Sequence, residues 1–315
     1  MKSSVRAHLS LFVANLIYAA SFTIAKKVTG GPVHPFALVI LRASGAVILF
    51  WLTDFLLVKE KTDRKDIPRF IMLAFFGVAL NQMMFLKGLD LTSPINASIM
   101  MITSPILVLI IAAIVIRERI TFIKSAGIIL GFGGAVMLMM GKTHQTVRGD
   151  SMTGDLCVFI NALSWGAYLV LVKPLMFKYN TVTILRWVFL FGLIMVIPFG
   201  LGQLKEVQWS GMKQSDVFNV LFVIIATTYV AYLLNIYALK ALSPSVVSAY
   251  IYLQPLLTTI IALWMGSDHL DLLKVVSAAM IFGGVFMVSH RKRDQPVLKD
   301  NGILINREDS EGQAL

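Results

Sequence analysis

Residues 93–105 read SPINASIMMITSP, and residues 243–255, which lie 150 positions further along the chain, read SPSVVSAYIYLQP. The opening Ser-Pro pair, an internal serine and the closing proline coincide at this shift. Over residues 85–140 the same shift gives 14 identical pairs in 56 positions, against roughly one in ten expected for so apolar a composition. The sequence therefore predicts an internal duplication.

The composition is typical of a membrane protein. Hydrophobic residues make up 57% of the 315 positions, charged residues 14%, and the mean hydropathy is +0.78, whereas the apolar share of a soluble domain is about 45–50%. Runs long enough to cross a bilayer core of about 30 Å recur along the chain. We predict an all-α integral membrane protein with ten transmembrane helices, over residues 8–25, 35–58, 68–86, 95–116, 121–141, 153–172, 181–201, 216–239, 244–265 and 270–290.

Each copy of the duplication contains five of these predicted helices. Because five is odd, the second copy enters the membrane from the opposite face, which predicts two inverted five-helix repeats with a binding site between them near the midplane. The predicted division is a first repeat over residues 1–142, a linker over 143–152, a second repeat over 153–290 and a disordered cytoplasmic tail over 291–315.

The distribution of lysine and arginine predicts the orientation. We take the first apolar run as a helix and not as a cleaved signal peptide, and count these residues over alternate loops. The count is 16 on the side of the N-terminus and 8 on the other. This bias predicts a multi-pass protein of the cytoplasmic membrane with both termini cytoplasmic. The same loop clusters account for the net charge of +11, so no nucleic-acid partner is predicted.

Short motifs recur in the same order in both halves and carry a family resemblance. The first half has Ser104-Pro105, Arg117-Glu118-Arg119 and Gly131-Phe132-Gly133-Gly134, and the second has Gln254-Pro255, Asp268 and Phe282-Gly283-Gly284. Together with NALSWGAY at residues 161–168 and an arginine in the second helix of each half, they resemble the drug/metabolite transporter superfamily, and more narrowly its ten-helix EamA-type exporters. The resemblance covers residues 8–290 and implies transport of small organic molecules.

The predicted function is that of a secondary transporter that exports amino acids or related small metabolites by alternating access, with a small organic solute and the lipid bilayer as partners. A carrier or flippase for nucleotide-linked or lipid-linked sugars is the alternative that the same resemblance allows. A membrane-embedded enzyme is an alternative of another class, but the sequence shows no buried catalytic cluster. No cofactor or metal is predicted, because Cys157 is the single cysteine and the five histidines have no ligand spacing.

The candidates for a substrate cavity are polar, charged and aromatic side chains inside the predicted helices, where an ionisable group costs about 2.5–3.5 kcal/mol. They are Tyr18, Arg42, Asn81, Gln82, Trp165, Tyr168, Arg186, Tyr232, Asn235, Tyr250 and Gln254. The alternative for each is that it bridges packed helices or, for the arginines, that its long stem reaches the membrane interface.

A gate is a second hypothesis for the charged residues. The inverted symmetry places Arg42 and Asp268 near the outer face, and Arg186 and Glu118 near the inner face. Two ion pairs between the repeats would then close the transporter alternately. Arg117 and Arg119 are competing partners for Glu118.

Proline and glycine predict how some helices bend and pack. Pro105 and Pro255 fall inside apolar runs and predict kinks. The glycines within residues 127–134 and at 283–284 predict close helix contact. That contact is either internal or the interface of a homodimer.

Overall fold

Helices form over the apolar runs because lipid offers no hydrogen-bond partner to the backbone, so each segment must satisfy its own N–H and C=O groups. The computed structural model describes residues 2–92, 97, 100–140, 152–207, 209–264, 272–289, 296–298 and 304–306. Within these residues, seven helices are long and apolar enough to cross a membrane, and shorter apolar helices lie between them.

The spans follow the order that the sequence predicts. In chain order they are α1, Lys2–Thr29; α2, Pro35–Val58; α3, Arg64–Leu91; α4, Ser104–Val115; α5, Phe122–Met140; α6, Met152–Phe177; α7, Thr181–Lys205; α8, Gln214–Ala241; α9, continuous through Pro244–Ala249, Tyr250–Tyr252 and Leu253–Trp264; and α10, Leu272–Ser289. The predicted all-α fold class is confirmed.

Two short strands lie beyond the last helix. Pro296–Leu298 pairs antiparallel with Leu304–Asn306, within the tail for which the sequence predicts disorder. The other residues of that tail lie outside the described part of the chain, as do most of the predicted linker and the first residues of the predicted fourth helix.

The main helix contacts join the two halves of the chain. Helix α1 packs against α8, α3 against α6, α2 against α7, α4 against α9 and α5 against α10. Exchanging the halves maps α1–α8 onto α6–α3 and each of the other three pairs onto itself. Such exchange symmetry is expected of a duplicated fold whose copies bury their apolar faces against each other.

Irregular turns occur at equivalent places in the two halves. A π-helical turn spans Phe75–Ala79 in α3 and another spans Val223–Val230 in α8, and the 150-residue shift brings the first inside the second. Regular helical geometry is also interrupted before each proline that was predicted to kink a helix: a turn at residues 102–103 precedes Pro105, and a 3-10 turn at Tyr250–Tyr252 precedes Pro255. A π turn leaves backbone carbonyls without their usual partners and is frequent at functional sites.

A lysine from the first helix of each half binds the end of the third. The ammonium group of Lys26 donates to the carbonyl of Leu89 at 2.6 Å, and that of Lys173 donates to the carbonyl of Leu239, the position equivalent to Leu89. Both lysines thus satisfy carbonyls at a helix C-terminus, where positive charge is favourable. A shift of 146 residues, which pairs Asn15 with Asn161, predicts Lys27 as the counterpart of Lys173. This contact shows that the counterpart is instead Lys26, so that prediction is wrong by one residue.

The predicted glycine contact is internal, between α5 and α10. A Cβ atom added at Gly284 would lie 2.6 Å from the carbonyl oxygen of Gly127, and one added at Gly134 would lie 2.7 Å from the Cβ of Met280. The two helices therefore approach closely enough for backbone contact. Gly133 and Gly283 have ordinary contact distances at these added atoms and do not take part.

We expect Gly284→Ala to lower the thermal unfolding midpoint of the purified protein in detergent, because the added methyl group meets backbone, and such overpacking costs about 1–3 kcal/mol. Gly283→Ala is the matched control, since the nearest atom would be 3.5 Å from its added Cβ. Equal midpoints for the two variants would contradict the close α5–α10 contact.

Candidate functional site

A cavity lies between the two halves, with an empty volume of about 630 Å³ including the space at its opening. Its walls come from α1, α2 and α3 in the first half and from α6, α8 and α9 in the second, with Met101 adding a side chain just before α4. The lining side chains are Asn15, Tyr18, Ser21, Phe22, Arg42, Asn81, Phe85, Met101, Asn161, Trp165, Thr227, Tyr232, Asn235, Val247, Ile251 and Gln254.

The structure brings seven of the eleven cavity candidates from the sequence together in this lining. They are Tyr18, Arg42, Asn81, Trp165, Tyr232, Asn235 and Gln254. The lining residues that sequence reasoning left out of this set include apolar ones, such as Phe22 and Phe85, which no polar signal marks. Asn15, Ser21 and Asn161 are polar residues inside the predicted helices, and the criterion of a polar residue within an apolar run does mark them.

The π turn of α3 holds one wall of the cavity. The hydroxyl of Tyr232 donates to the carbonyl of Gly77 at 2.9 Å, and Gly77 lies within that turn. Gly77 itself admits no larger residue without a shift, because an added Cβ would lie 2.5 Å from the ring of Tyr168. Trp165 meets Tyr232 edge to face, with ring centroids 5.5 Å apart. An aromatic wall is thus fixed by a backbone irregularity.

The π turn of α8 positions the buried guanidinium of Arg42. Its Nε donates to the hydroxyl oxygen of Thr228 at 2.9 Å, and this hydroxyl donates to the carbonyl of Val223, five residues back along α8, at 2.7 Å. Arg42 is 4% exposed and lines the cavity. The π turn of α3 therefore positions the aromatic wall of the cavity, and the π turn of α8 positions the guanidinium of Arg42.

Amide side chains join the helices around the cavity. The side chain of Gln254 donates to the Oδ1 of Asn15 at 2.9 Å, which ties α9 to α1. Asn161 donates to the carbonyl of Asn81 at 2.8 Å, and Asn81 donates back to the carbonyl of Asn161 at 3.3 Å. These groups line the cavity and also bridge packed helices, so the two alternatives stated from the sequence hold together.

Four cavity candidates lie outside the lining. Gln82 is buried behind it and donates to the hydroxyl of Tyr232 at 3.5 Å. Tyr168 is fully buried, with its ring 5.5 Å from that of Trp165, and Tyr250 shares a hydrogen bond of 2.7 Å with His8. Arg186, the fourth, has partners of another kind.

Arg186 is held in an ion pair that the sequence analysis did not anticipate. Its Nη1 donates to the carboxylate of Asp54, and its Nη2 donates to the carbonyl of Glu60 at 2.9 Å and to the hydroxyl of Thr62 at 3.1 Å. The guanidinium also lies 5.1 Å from the ring centroid of Trp51. Asp54 lies four residues before the end of α2, and its position has no acidic counterpart in the other half, so the duplication did not indicate this pair. The sequence did hold one indication of the pair, because Asp54 and Arg186 carry opposite charges and lie at similar predicted depths near the same membrane face.

The gate pair Arg186–Glu118 is therefore not formed in this conformation. Glu118 instead pairs with Lys124 at 3.2 Å, and both of these side chains are buried. Lys124 lies only six residues along the chain, so it satisfies Glu118 without reaching across the cavity. Asp268, the other proposed gate residue, lies outside the described residues, and Arg42 bonds Thr228.

More polar contacts surround the Asp54–Arg186 pair. The carboxylate of Asp66 accepts hydrogen bonds from the ammonium of Lys178 and, at 2.7 Å, from the hydroxyl of Tyr179. The hydrogen bond to Asp66 raises the pKa of Lys178. A set of residues from both halves thus meets at one end of the bundle, and we call it the Asp54 cluster: Asp54, Glu60, Thr62, Asp66, Lys178, Tyr179 and Arg186.

We expect Asp54→Asn to destabilise the protein strongly, by about 3–5 kcal/mol, because it leaves the buried guanidinium of Arg186 without its counter-ion. The control is Asp90→Asn, since the Lys87–Asp90 pair is 3.9 Å apart and partly exposed, and such pairs contribute at most about 1 kcal/mol. Thermal unfolding in detergent measures both. A loss for Asp54→Asn no greater than that for Asp90→Asn would contradict the buried pair.

No cluster of three or more potential metal ligands occurs among the described residues. The described lining of the cavity instead combines one guanidinium, several amides and aromatic rings. A lining of this composition is typical of pockets for organic molecules.

Comparison with known proteins gives independent evidence on the class of protein. The family model described as "EamA-like transporter family" matches twice, over residues 5–140 and 152–290. An uncharacterized transporter of Archaeoglobus fulgidus is 27% identical over 91% of this chain and 98% of its own, and the uncharacterized transporter YyaM of Bacillus subtilis is 25% identical over 90% and 94%. A WAT1-related protein of Arabidopsis thaliana is 23% identical over 89% of this chain and 84% of its own.

A solved crystal structure shares the fold, with a TM-score of 0.69 and 20% identity over 90% of this chain and 96% of the other. The two family matches together span nearly the whole helical part of the chain. The chain therefore belongs to the EamA-like transporter family and is a multi-pass membrane transporter, not an enzyme.

Proposed function

We propose that this transporter exports amino acids or related small metabolites by alternating access, with the cavity between its repeats as the binding site. The observation that carries the proposal is the composition of the cavity wall, which takes side chains from both halves of the chain. A site at a repeat interface is exposed to one side and then the other when the halves rock against each other.

The ends of the α2–α7 pair support a conformation closed on one side. At one end, Arg186 on α7 is bound to Asp54 on α2, both buried. At the other end, Gly200 on α7 packs closely on α2, but the described polar contacts are only a hydrogen bond of 2.8 Å from the backbone N–H of Phe36 to Gln203 and an exposed His34–Glu206 pair at 3.8 Å. Because exchange symmetry maps α2–α7 onto itself, unequal closure at its two ends is what one state of an alternating cycle would have.

The orientation follows from the loops. Lysine and arginine are twice as frequent in the loops on the side of the N-terminus, so we place the chain in the cytoplasmic membrane with both termini cytoplasmic. The Asp54 cluster then closes the cytoplasmic side of the cavity. In this orientation the cluster must separate before a cytoplasmic solute can enter.

Amino acids and related metabolites suit the lining. Aromatic walls at Trp165 and Tyr232 accept an apolar side chain, and amides such as Asn15 and Gln254 border the same space. A few convergent polar groups in a mostly apolar pocket orient an organic solute by hydrogen bonds. The proposed solute is therefore small, partly apolar and capable of hydrogen bonding.

The test is efflux from cells that express the protein and are loaded with a mixed pool of amino acids and related metabolites. We expect selective loss of one solute or a small group, and at least a tenfold lower efflux rate for Trp165→Ala at equal amounts in the membrane, because a cavity wall is removed. Phe199→Ala is the matched control, as its ring is 61% exposed on the outside of α7.

Equal efflux by Trp165→Ala and Phe199→Ala would contradict the assignment of the cavity. No loss of any solute relative to cells without the protein would contradict export of this pool and favour a carrier for nucleotide-linked or lipid-linked sugars.

A further inference from the structure

The two arginines at equivalent positions of the second helices differ in their partners. Arg186 has a carboxylate, a carbonyl and a hydroxyl around its guanidinium. Arg42 is equally buried, yet its one hydrogen bond among the described residues joins its Nε to Thr228. Neither of its two terminal nitrogens has a hydrogen-bond partner, and no ion pair of Arg42 occurs, within that part of the chain. A forked donor pair is thus available at the cavity wall.

A buried guanidinium without a counter-ion is unfavourable in a membrane, and arginine keeps its charge under physiological conditions. An anionic group that enters the cavity offsets this cost. The planar fork of arginine matches a carboxylate through two parallel hydrogen bonds, which fixes orientation as well as adding binding energy. The hydrogen bond from the Nε of Arg42 to Thr228 fixes the orientation of the guanidinium. The two terminal nitrogens remain available as the fork.

No acidic residue is present among the described residues that line the cavity. Asp54, on the same helix as Arg42, lies twelve residues further on, roughly 18 Å at the helical rise, and is occupied by Arg186. The segment 93–99 beside Met101 contains no Asp or Glu in its sequence. The lining therefore offers a partner for a negative charge and no carboxylate for an ammonium group.

The number of charges limits the anion. Arg42 is the one lysine or arginine in the described lining, so it balances a single negative charge. A phosphate monoester or the diphosphate of a nucleotide-linked sugar carries about two, and the second would be buried without a cation. The aromatic rings of Phe22, Phe85 and Trp165 line the same cavity and suit an apolar body.

We infer that the cavity binds organic monocarboxylates, with Arg42 holding the carboxylate, Thr228 positioning the guanidinium and the aromatic wall holding the apolar body. This inference rests on the proposed function and narrows its substrate class. In this assignment the carboxylate is recognised, and the amino group of an amino acid contributes little to the affinity. The decisive chemical feature of the solute is its carboxylate.

The test is binding to the purified wild-type protein in detergent, measured by titration calorimetry with four phenyl compounds of similar size. They are 3-phenylpropionate, phenylalanine, 3-phenylpropanamide and phenethylamine. We expect 3-phenylpropionate to bind at least tenfold more tightly than its neutral amide, because a hydrogen bond to a charged group is lost in the amide. Phenylalanine is expected to bind no more tightly than 3-phenylpropionate, and phenethylamine not to bind.

Variants then locate the carboxylate. Arg42→Gln is expected to lower the affinity for 3-phenylpropionate at least tenfold and to leave that for 3-phenylpropanamide unchanged within about twofold. Thr228→Val is expected to weaken binding of the carboxylate severalfold. Its control is Thr259→Val, whose hydroxyl, also buried, donates to the carbonyl of Pro255 on its own helix and does not line the cavity.

Three results would overturn the inference: equal affinity of the wild-type protein for the carboxylate and the amide, tighter binding of phenethylamine than of 3-phenylpropionate, or unchanged affinity for the carboxylate in Arg42→Gln. The first two need no variant and so do not depend on Arg42→Gln folding. Because binding is measured without transport, failure here is distinct from failure of the efflux assay, which would sink the proposed function instead.

Discussion

Burial against the opposite repeat is the constraint on which the rest of the structure depends. The helices of the first half pack chiefly against helices of the second, from α1 on α8 to α5 on α10. In lipid, apolar surface alone does not drive helices together, so close packing and internal hydrogen bonds must do so. Glycine at the α5–α10 crossing supplies the first, and the reciprocal Asn81–Asn161 bonds supply the second. The cavity is the space that this pairing leaves unfilled.

The sequence predicted those features for which the free-energy cost of placing a residue in the membrane depends on the residue type alone. Apolar runs predicted the helices, since any segment in lipid must be apolar and hydrogen-bonded internally. The polar, charged and aromatic candidates inside those runs predicted seven of the sixteen residues in the described cavity lining, since the interior of the bundle is where such residues are accepted. Pro105 and Pro255 predicted breaks in helical geometry, because proline lacks the N–H group that a regular helix needs.

Contacts that depend on the relative position of two helices were beyond the sequence. The π turns at Phe75–Ala79 and Val223–Val230 share no distinctive residue type, so nothing in the pattern marked them. The ion pair between Arg186 and Asp54 required knowledge of which helix ends meet. Glu118 was assigned a distant partner on grounds of symmetry, whereas Lys124 reaches it locally. Duplication predicts which positions correspond, but it does not predict that corresponding positions keep the same partners.

The lysines that bind the ends of α3 and α8 have a mechanical consequence. Lys26 fastens α1 to α3, and Lys173 fastens α6 to α8. Since α1 also packs on α8 and α3 on α6, these four helices form a closed ring with a joint between each neighbouring pair. In such a ring, a change at any one contact must be accommodated by the other three. In the proposed transport cycle this ring would act as a frame around the solute, and α2 and α7, which pack chiefly on each other, would be the helices whose displacement opens or closes its sides.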